Sequence, residues 1–167
     1  MISITQKTLQ DLEFNTVLET IASRCNTDIG EAKALAITPF KNKEELLINL
    51  KQTSEYLSSF SNNNAIPNHG FENINYELKF LAIEDSFLEV GSFKKIANLS
   101  ETAITLIQFL KKFEDYYPNL YQKASQIDIV KLILQRIDEV VDKFGIIKDN
   151  ASPDLIDIRR NINVVRG

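Results

Sequence analysis

Between residues 89 and 117 apolar side chains recur in two interleaved stripes. Ile96, Ala103, Ile107 and Leu110 form one, and Leu99, Leu106, Phe109 and Phe113 the other. Both follow helical periodicity, and together they make a face too wide for a helix lying on a surface. The spacing therefore predicts a central helix packed on two sides, ended by Pro118 because the residue before a proline avoids helical angles. A chain built around such a helix has little room for an all-β plan, and only 5 Gly and 4 Pro supply little punctuation for one. The fold class read from the sequence is all-α.

The flanking segments carry shorter helical signals. Asn15 is expected to cap a helix with Val17, Leu18, Ile21 and Ala22 on its apolar face. Thr27 is expected to start a second that stops before Pro39. Asn42-Lys-Glu-Glu45 reads as a capping-box-like start, with Leu46, Leu50, Thr53, Leu57 and Phe60 along one face. The Asn-rich stretch from Ser61 through Pro67 and Gly70 reads as a loop, and 73–83 as a short helix. Ser125-Gln-Ile-Asp128 is expected to restart a helix carrying Val130, Ile133, Ile137 and Val141. Residues 140–149 are rich in β-branched side chains around Gly145 and could hold one short strand pair. No internal repeat is found.

Composition bounds the rest. At 167 residues and 44% hydrophobic the chain can bury one domain-sized core. A net charge of −4 argues against a nucleic-acid surface spread over the whole domain. The lone Cys25 excludes an internal disulfide framework and suits a reducing, cytoplasmic setting. The start lacks a basic segment followed by an apolar stretch, and no run of about 18 apolar residues suggests a membrane span.

Residues 144–160 carry the sharpest local signal. Ser152 followed by Pro153 starts a helix by mechanism: the hydroxyl can accept from a first-turn amide, and proline at the first position loses no hydrogen bond. Asp154 and Asp157 suit the positive end of the helix dipole. Leu155, Ile158, Ile162 and Val165 then fall at i, i+3, i+7 and i+10, the narrow seam of a coiled-coil-like helix. That seam has run for barely three turns at Gly167, so a long packing helix is expected to have been launched and cut. The boundary reading is a helical core over 1–151 and the start of a truncated lever helix over 152–167.

Gly145-Ile-Ile-Lys-Asp-Asn-Ala-Ser-Pro-Asp-Leu155 followed by Ile158-Arg-Arg160 resembles the "G-x-(I/V)-x-D-x-A-S-P-(E/D)-L-x-x-I-R-R" stretch of MutS-type proteins. Leu12-Glu-Phe-Asn-Thr-Val-Leu-Glu19 resembles the "L-E-F-x-x-I-L" opening of the second bacterial MutS subfamily. Thr27-Asp-Ile-Gly-Glu-Ala-Lys-Ala-Leu-Ala-Ile-Thr-Pro39 resembles that subfamily's "S/T-x-x-G-(K/R)-x-x-A-x-x-L-x-P" segment, and Ile66-Pro67, Gly70 and Ile74 echo its "I-P-x-x-G-x-x-x-I". The helical core begins at once, as in that subfamily, without the mismatch-reading domain of mismatch-repair MutS.

The resemblance implies a core and lever region feeding a DNA-embracing clamp. It implies a full-length ATPase using ATP and Mg, dimeric mainly through its ATPase domains and usually ending in a Smr nuclease domain. It also implies two roles for the whole protein, suppression of recombination at branched DNA and action on collided ribosomes. A stand-alone helical interaction module, its seam receiving a partner helix, is the alternative. The 167-residue chain by itself is expected to be a monomer or a dimer induced by truncation.

No catalytic, cofactor-binding or metal-binding residue is assigned. His69, the sole histidine, sits in a Pro/Gly loop and reads as a solvated turn residue rather than a general base or ligand. Cys25 falls at a helix C-terminus, the wrong end to stabilise a thiolate. Glu84-Asp85, Glu114-Asp115 and Asp138-Glu139 lack the ligand spacing of a calcium loop. No Gly-rich loop ends in Lys-Ser/Thr. The basic doublets Lys94-Lys95, Lys111-Lys112 and Arg159-Arg160 are interleaved with acid and read as solvated faces. Arg159 and Arg160 are expected to pair with Asp157 or a neighbouring helix.

Overall fold

The computed structural model describes residues 4–166, and of Arg166 only the backbone; residues 1–3 and 167, including the expected cut at Gly167, lie outside. The described residues form nine helices and no strand, so the fold is all-α. In chain order these are α1 (Gln6–Asp11), α2 (Phe14–Ala22), α3 (Asp28–Leu35), α4 (Lys43–Ser58), α5 (Asn75–Leu81), α6 (Val90–Lys112), α7 (Pro118–Ala124), α8 (Lys131–Val140) and α9 (Pro153–Arg166). They divide into two compact units, a partition that composition does not announce. One comprises the chain up to Asn73 with Thr105–Asp128, the other Ile74–Ile104 with the chain from Ile129 onward.

In the first unit, α1 is an element that the sequence reading omits. Thr5 caps it, its hydroxyl accepting from the Thr8 amide at 3.2 Å. Asn15 caps nothing. The chain turns into α2 through Glu13, which adopts the left-handed conformation at φ 51°. A break that tight leaves no extended residue where a side-chain cap could form. Leu18 and Ala22 are buried as expected, whereas Val17 and Ile21 stay exposed. Thr27 does cap α3, accepting from the Gly30 amide at 3.0 Å.

The core of this unit gathers Leu110, Tyr117 and Ala124, with Ile107, Phe109, Phe113, Leu120, Tyr121 and Ile66 packed around them. Tyr117 is fully buried, and its hydroxyl donates to the Asn64 carbonyl and to Asn62 Oδ1. The Asn-rich loop is thereby tied to the core, because a buried phenol must find an acceptor. Pro118 does not stop α6, which ends at Lys112 ahead of a turn over 113–116. It occupies the first position of α7, a helix absent from the sequence reading. Ser125 accordingly closes α7, and α8 begins only at Lys131.

Asn42 caps α4, accepting from the Glu44 amide at 2.8 Å. The expected packing face of α4 is overturned. Leu46, Leu50, Thr53, Leu57 and Phe60 are exposed, while Asn49, Gln52, Glu55, Tyr56 and Ser59 turn inward. The cause lies across the unit at α7, whose Tyr117 offers no side-chain cap. The Glu55 carboxylate replaces it, accepting from the Asn119 amide at 3.0 Å, the Leu120 amide at 2.9 Å and the Asn119 side chain. With Pro118 lacking an N–H, one carboxylate from a distant helix satisfies the first free donors of α7.

The second unit buries Ile74, Glu77, Ile96 and Val141. Along the whole of α6, residues of both predicted stripes are buried or half-buried, and the exposed positions Gly91, Lys94, Asn98, Glu101, Thr105, Gln108, Lys111 and Lys112 are confined to a polar strip. The wide-face reading of this helix holds. The strand pair considered near 140–149 reduces to one isolated antiparallel bridge between Val141 and Ile147.

Candidate functional site

The motif over 145–160 folds into a braced corner between α8 and α9. Val141 leaves α8 in extended conformation and pairs with Ile147. The Lys148 amide donates to the Val140 carbonyl at 2.8 Å and the Asp142 amide to the Ile146 carbonyl at 2.9 Å. Inside this narrow turn, Asp142 Oδ1 accepts from the amides of Phe144 and Ile146, each at 2.9 Å. Gly145 takes φ +80°, and a Cβ there would stand 3.3 Å from Lys94 Cδ. The turn thus requires glycine both for its backbone and for the close approach of a lysine stem.

Ionic contacts extend the brace. Lys148 Nζ reaches the Asp138 carbonyl oxygen and, at 3.3 Å, its carboxylate. Arg159, nearly two turns into α9, pairs with Asp149 ahead of the helix rather than with Asp157. Ser152 caps α9 as its sequence predicts, its Oγ accepting from the Leu155 amide at 3.2 Å. Leu155 is half-buried, whereas Ile158, Ile162 and Val165 are exposed. The start of α9 is held by a hairpin turn, a cap and two ion pairs, and its seam beyond them is open.

Beside the corner lies a cleft of about 400 Å³ between α6 and α8. Its charged lining is Lys94, Glu101, Asp138, Asp142 and Lys143, so neither sign dominates and no anion site is defined. Glu77 is a buried carboxylate that sequence reasoning missed, since nothing in α5 flags it. Lys95 pairs with it at 3.5 Å, Ser92 Oγ lies 3.5 Å from Oε1, and Oε2 has no hydrogen-bond partner. Glu55 was equally illegible, because the amides it serves lie more than sixty residues downstream.

The remaining candidates stay apart. His69 is half-buried rather than solvated: Nδ1 lies 3.1 Å from the Pro67 carbonyl oxygen, and the ring sits edge-on to Tyr56. Cys25 Sγ points at the Ile21 carbonyl just beyond α2. Asp85 adopts a left-handed turn conformation at φ 59°, and Glu139 pairs with Arg136 at 3.0 Å. Lys112 lies 5.2 Å from the centre of the Phe113 ring. Among the described residues no three His, Cys, Asp or Glu side chains converge as a metal site would require, and no helix is long and apolar enough to cross a membrane.

The described residues thus form an all-α chain in which a glycine-turned, capped and ion-paired corner leads into a seamed helix. The chain is similar over nearly its whole length to proteins named Endonuclease MutS2. The relative from Alkaliphilus oremlandii is 28% identical over 160 residues, covering 95% of this chain and 20% of that protein. Those from Pelotomaculum thermopropionicum and Staphylococcus aureus are each 26% identical, covering 94% and 95% of this chain and 20% and 21% of theirs. The chain spans about a fifth of the length of the curated relatives it matches, consistent with a piece of a MutS2 protein. No family model matches it.

Proposed function

We propose that this chain is the non-catalytic helical core and lever base of a MutS-like ATPase. In this reading it relays nucleotide-driven movement to a clamp that closes on branched DNA, where the whole protein suppresses recombination. Collided ribosomes are the second target that the family resemblance implies. The observation that carries the reading is the braced corner over 145–160. A helix held at its root by a hairpin turn, a cap and two ion pairs transmits a rotation instead of absorbing it. The name the relatives carry, endonuclease, favours a nucleic-acid target for the whole protein.

ATP and Mg belong, in this reading, to another part of the longer protein, because the residues here do not fit them. Gly30 lies inside α3 and Gly91 inside α6, Gly70 and Gly145 sit in turns, and none precedes Lys-Ser or Lys-Thr. The whole protein would be a cytoplasmic homodimer joined mainly through its ATPase domains. The open seam of α9 supports a second reading, an interaction module that receives a partner helix.

The test uses the full-length protein containing this chain, with Asp149→Asn and Arg159→Gln combined. ATP hydrolysis is expected to stay within about twofold of wild type, while the nucleotide-dependent change in affinity for a four-way DNA junction is lost. Unaltered nucleotide dependence would refute the lever reading. A full-length reading frame with no phosphate-loop ATPase would favour the interaction module.

A further inference from the structure

Each unit has its own buried residues, and the chain passes from one unit to the other three times. It does so from Asn73 to Ile74, from Ile104 to Thr105 and from Asp128 to Ile129. The first passage lies in the non-helical segment ahead of α5 and the last in the non-helical segment ahead of α8. The middle one is different. It falls inside α6, which runs unbroken from Val90 to Lys112 and contributes to both cores.

Both ends of α6 are gripped. Toward its N-terminus Ile96 is buried, Lys95 pairs with the buried Glu77 of α5 at 3.5 Å, and the Lys94 stem passes close to Gly145 of the corner turn. Toward its C-terminus Leu110 packs with Tyr117 and Ala124, flanked by Ile107 and Phe109. From Phe93 to Lys112 there is neither glycine nor proline, and sharp kinks in helices arise almost always at such residues or where the hydrogen-bond ladder is interrupted. A loop takes up a displacement by changing a few dihedral angles, whereas a bend in this helix strains successive bonds of the ladder.

We propose that α6 is a transmission element: it couples the core of the first unit to the braced corner, so that a displacement in that core reaches the root of α9 instead of being lost in a linker. The coupling follows from the continuity of α6, and its use in nucleotide signalling rests on the lever reading above. Glu101 and Thr105 are the positions from which to probe it. They lie one turn apart at the passage and are both exposed, so truncating them leaves the two cores intact. Glu101→Gly with Thr105→Gly softens the backbone there, and Glu101→Ala with Thr105→Ala removes the same side chains while keeping the helix stiff.

Hydrogen exchange in the full-length protein containing this chain reads the coupling. In wild type the α6 amides around Ile96 and around Leu110 are expected to open in one cooperative step. The glycine variant is expected to separate the two openings at least tenfold in rate, and the alanine variant to keep them together. Separate openings in wild type, or glycine and alanine variants that behave alike, overturn the proposal. The glycine variant is also expected to lose most of the nucleotide-dependent change in affinity for a four-way DNA junction, with ATP hydrolysis within about twofold of wild type. If Asp149→Asn with Arg159→Gln abolishes that dependence and the glycine variant does not, α6 is not the route and the lever reading stands. If neither variant alters it while exchange shows one cooperative step, the lever reading fails and the coupling through α6 stands.

Discussion

Glu55 and Ser152 do the same chemical work at different ranges. Ser152 caps its own helix from the adjacent position, so Ser152→Ala is expected to cost about 1 kcal/mol. Glu55 caps α7 from another helix and satisfies two backbone amides besides the Asn119 side chain. Glu55→Ala leaves those donors half-buried and unpaired, so a loss of about 2–3 kcal/mol is expected. Urea melts of the two variants check the order, and equal midpoints would remove the long-range cap from the account. Tyr117 is the third residue of this kind. Tyr117→Phe keeps the ring in the core but orphans the Asn64 carbonyl, with an expected cost of about 1–2 kcal/mol. The serine was legible because its partner lies three residues away. The glutamate and tyrosine were not, because their partners lie more than fifty residues away.

At the scale of elements, α6 is where periodicity served best. Its apolar face is broad enough that no neighbouring turn could redirect it, and the polar line left over matches the residues that stay exposed. Leu110, 8% exposed within the core cluster, is the position to truncate. Leu110→Ala is expected to cost on the order of 3 kcal/mol through cavity formation, and the half-buried Leu106→Ala distinctly less. The corner makes a sharper demand. Gly145→Ala must hold φ +80° with Lys94 Cδ 3.3 Å from the new carbon, so about 1–2 kcal/mol of strain is expected. Thermal melts check both the helix and the turn, and a neutral Gly145→Ala would mean that the turn relaxes. Boundaries failed where one helix follows another across a few residues. The chain entering α2 turns at Glu13 instead of capping at Asn15, and Pro118 opens α7 instead of closing α6, which ends at Lys112. A proline signal is identical in either role; only the helix waiting behind it decides.

For the whole molecule, the basic doublets are spread and several are engaged, Lys95 on Glu77, Lys112 over Phe113 and Arg159 on Asp149. The isolated chain is therefore expected to bind duplex or branched DNA weakly, with moderate salt abolishing the binding. Fluorescence anisotropy on a four-way junction measures this, and tight, salt-resistant binding would move the DNA-contacting surface into this domain. The sequence by itself determined the all-α class, the broad burial of α6, the caps at Thr27, Asn42 and Ser152, and the likeness to MutS-type proteins. Each of these rests on residues within a few positions of one another, where periodicity and capping chemistry operate. Only the tertiary structure decided the rest: that α4 turns its leucines outward, that Glu55 caps α7, that Glu77 is buried and that Arg159 answers Asp149. For α4 the physical reason is plain. Its sequence offers one apolar and one polar face without saying which meets the protein, and the unpaired amides of a distant helix, costlier to abandon than a row of leucines is to expose, chose the polar one.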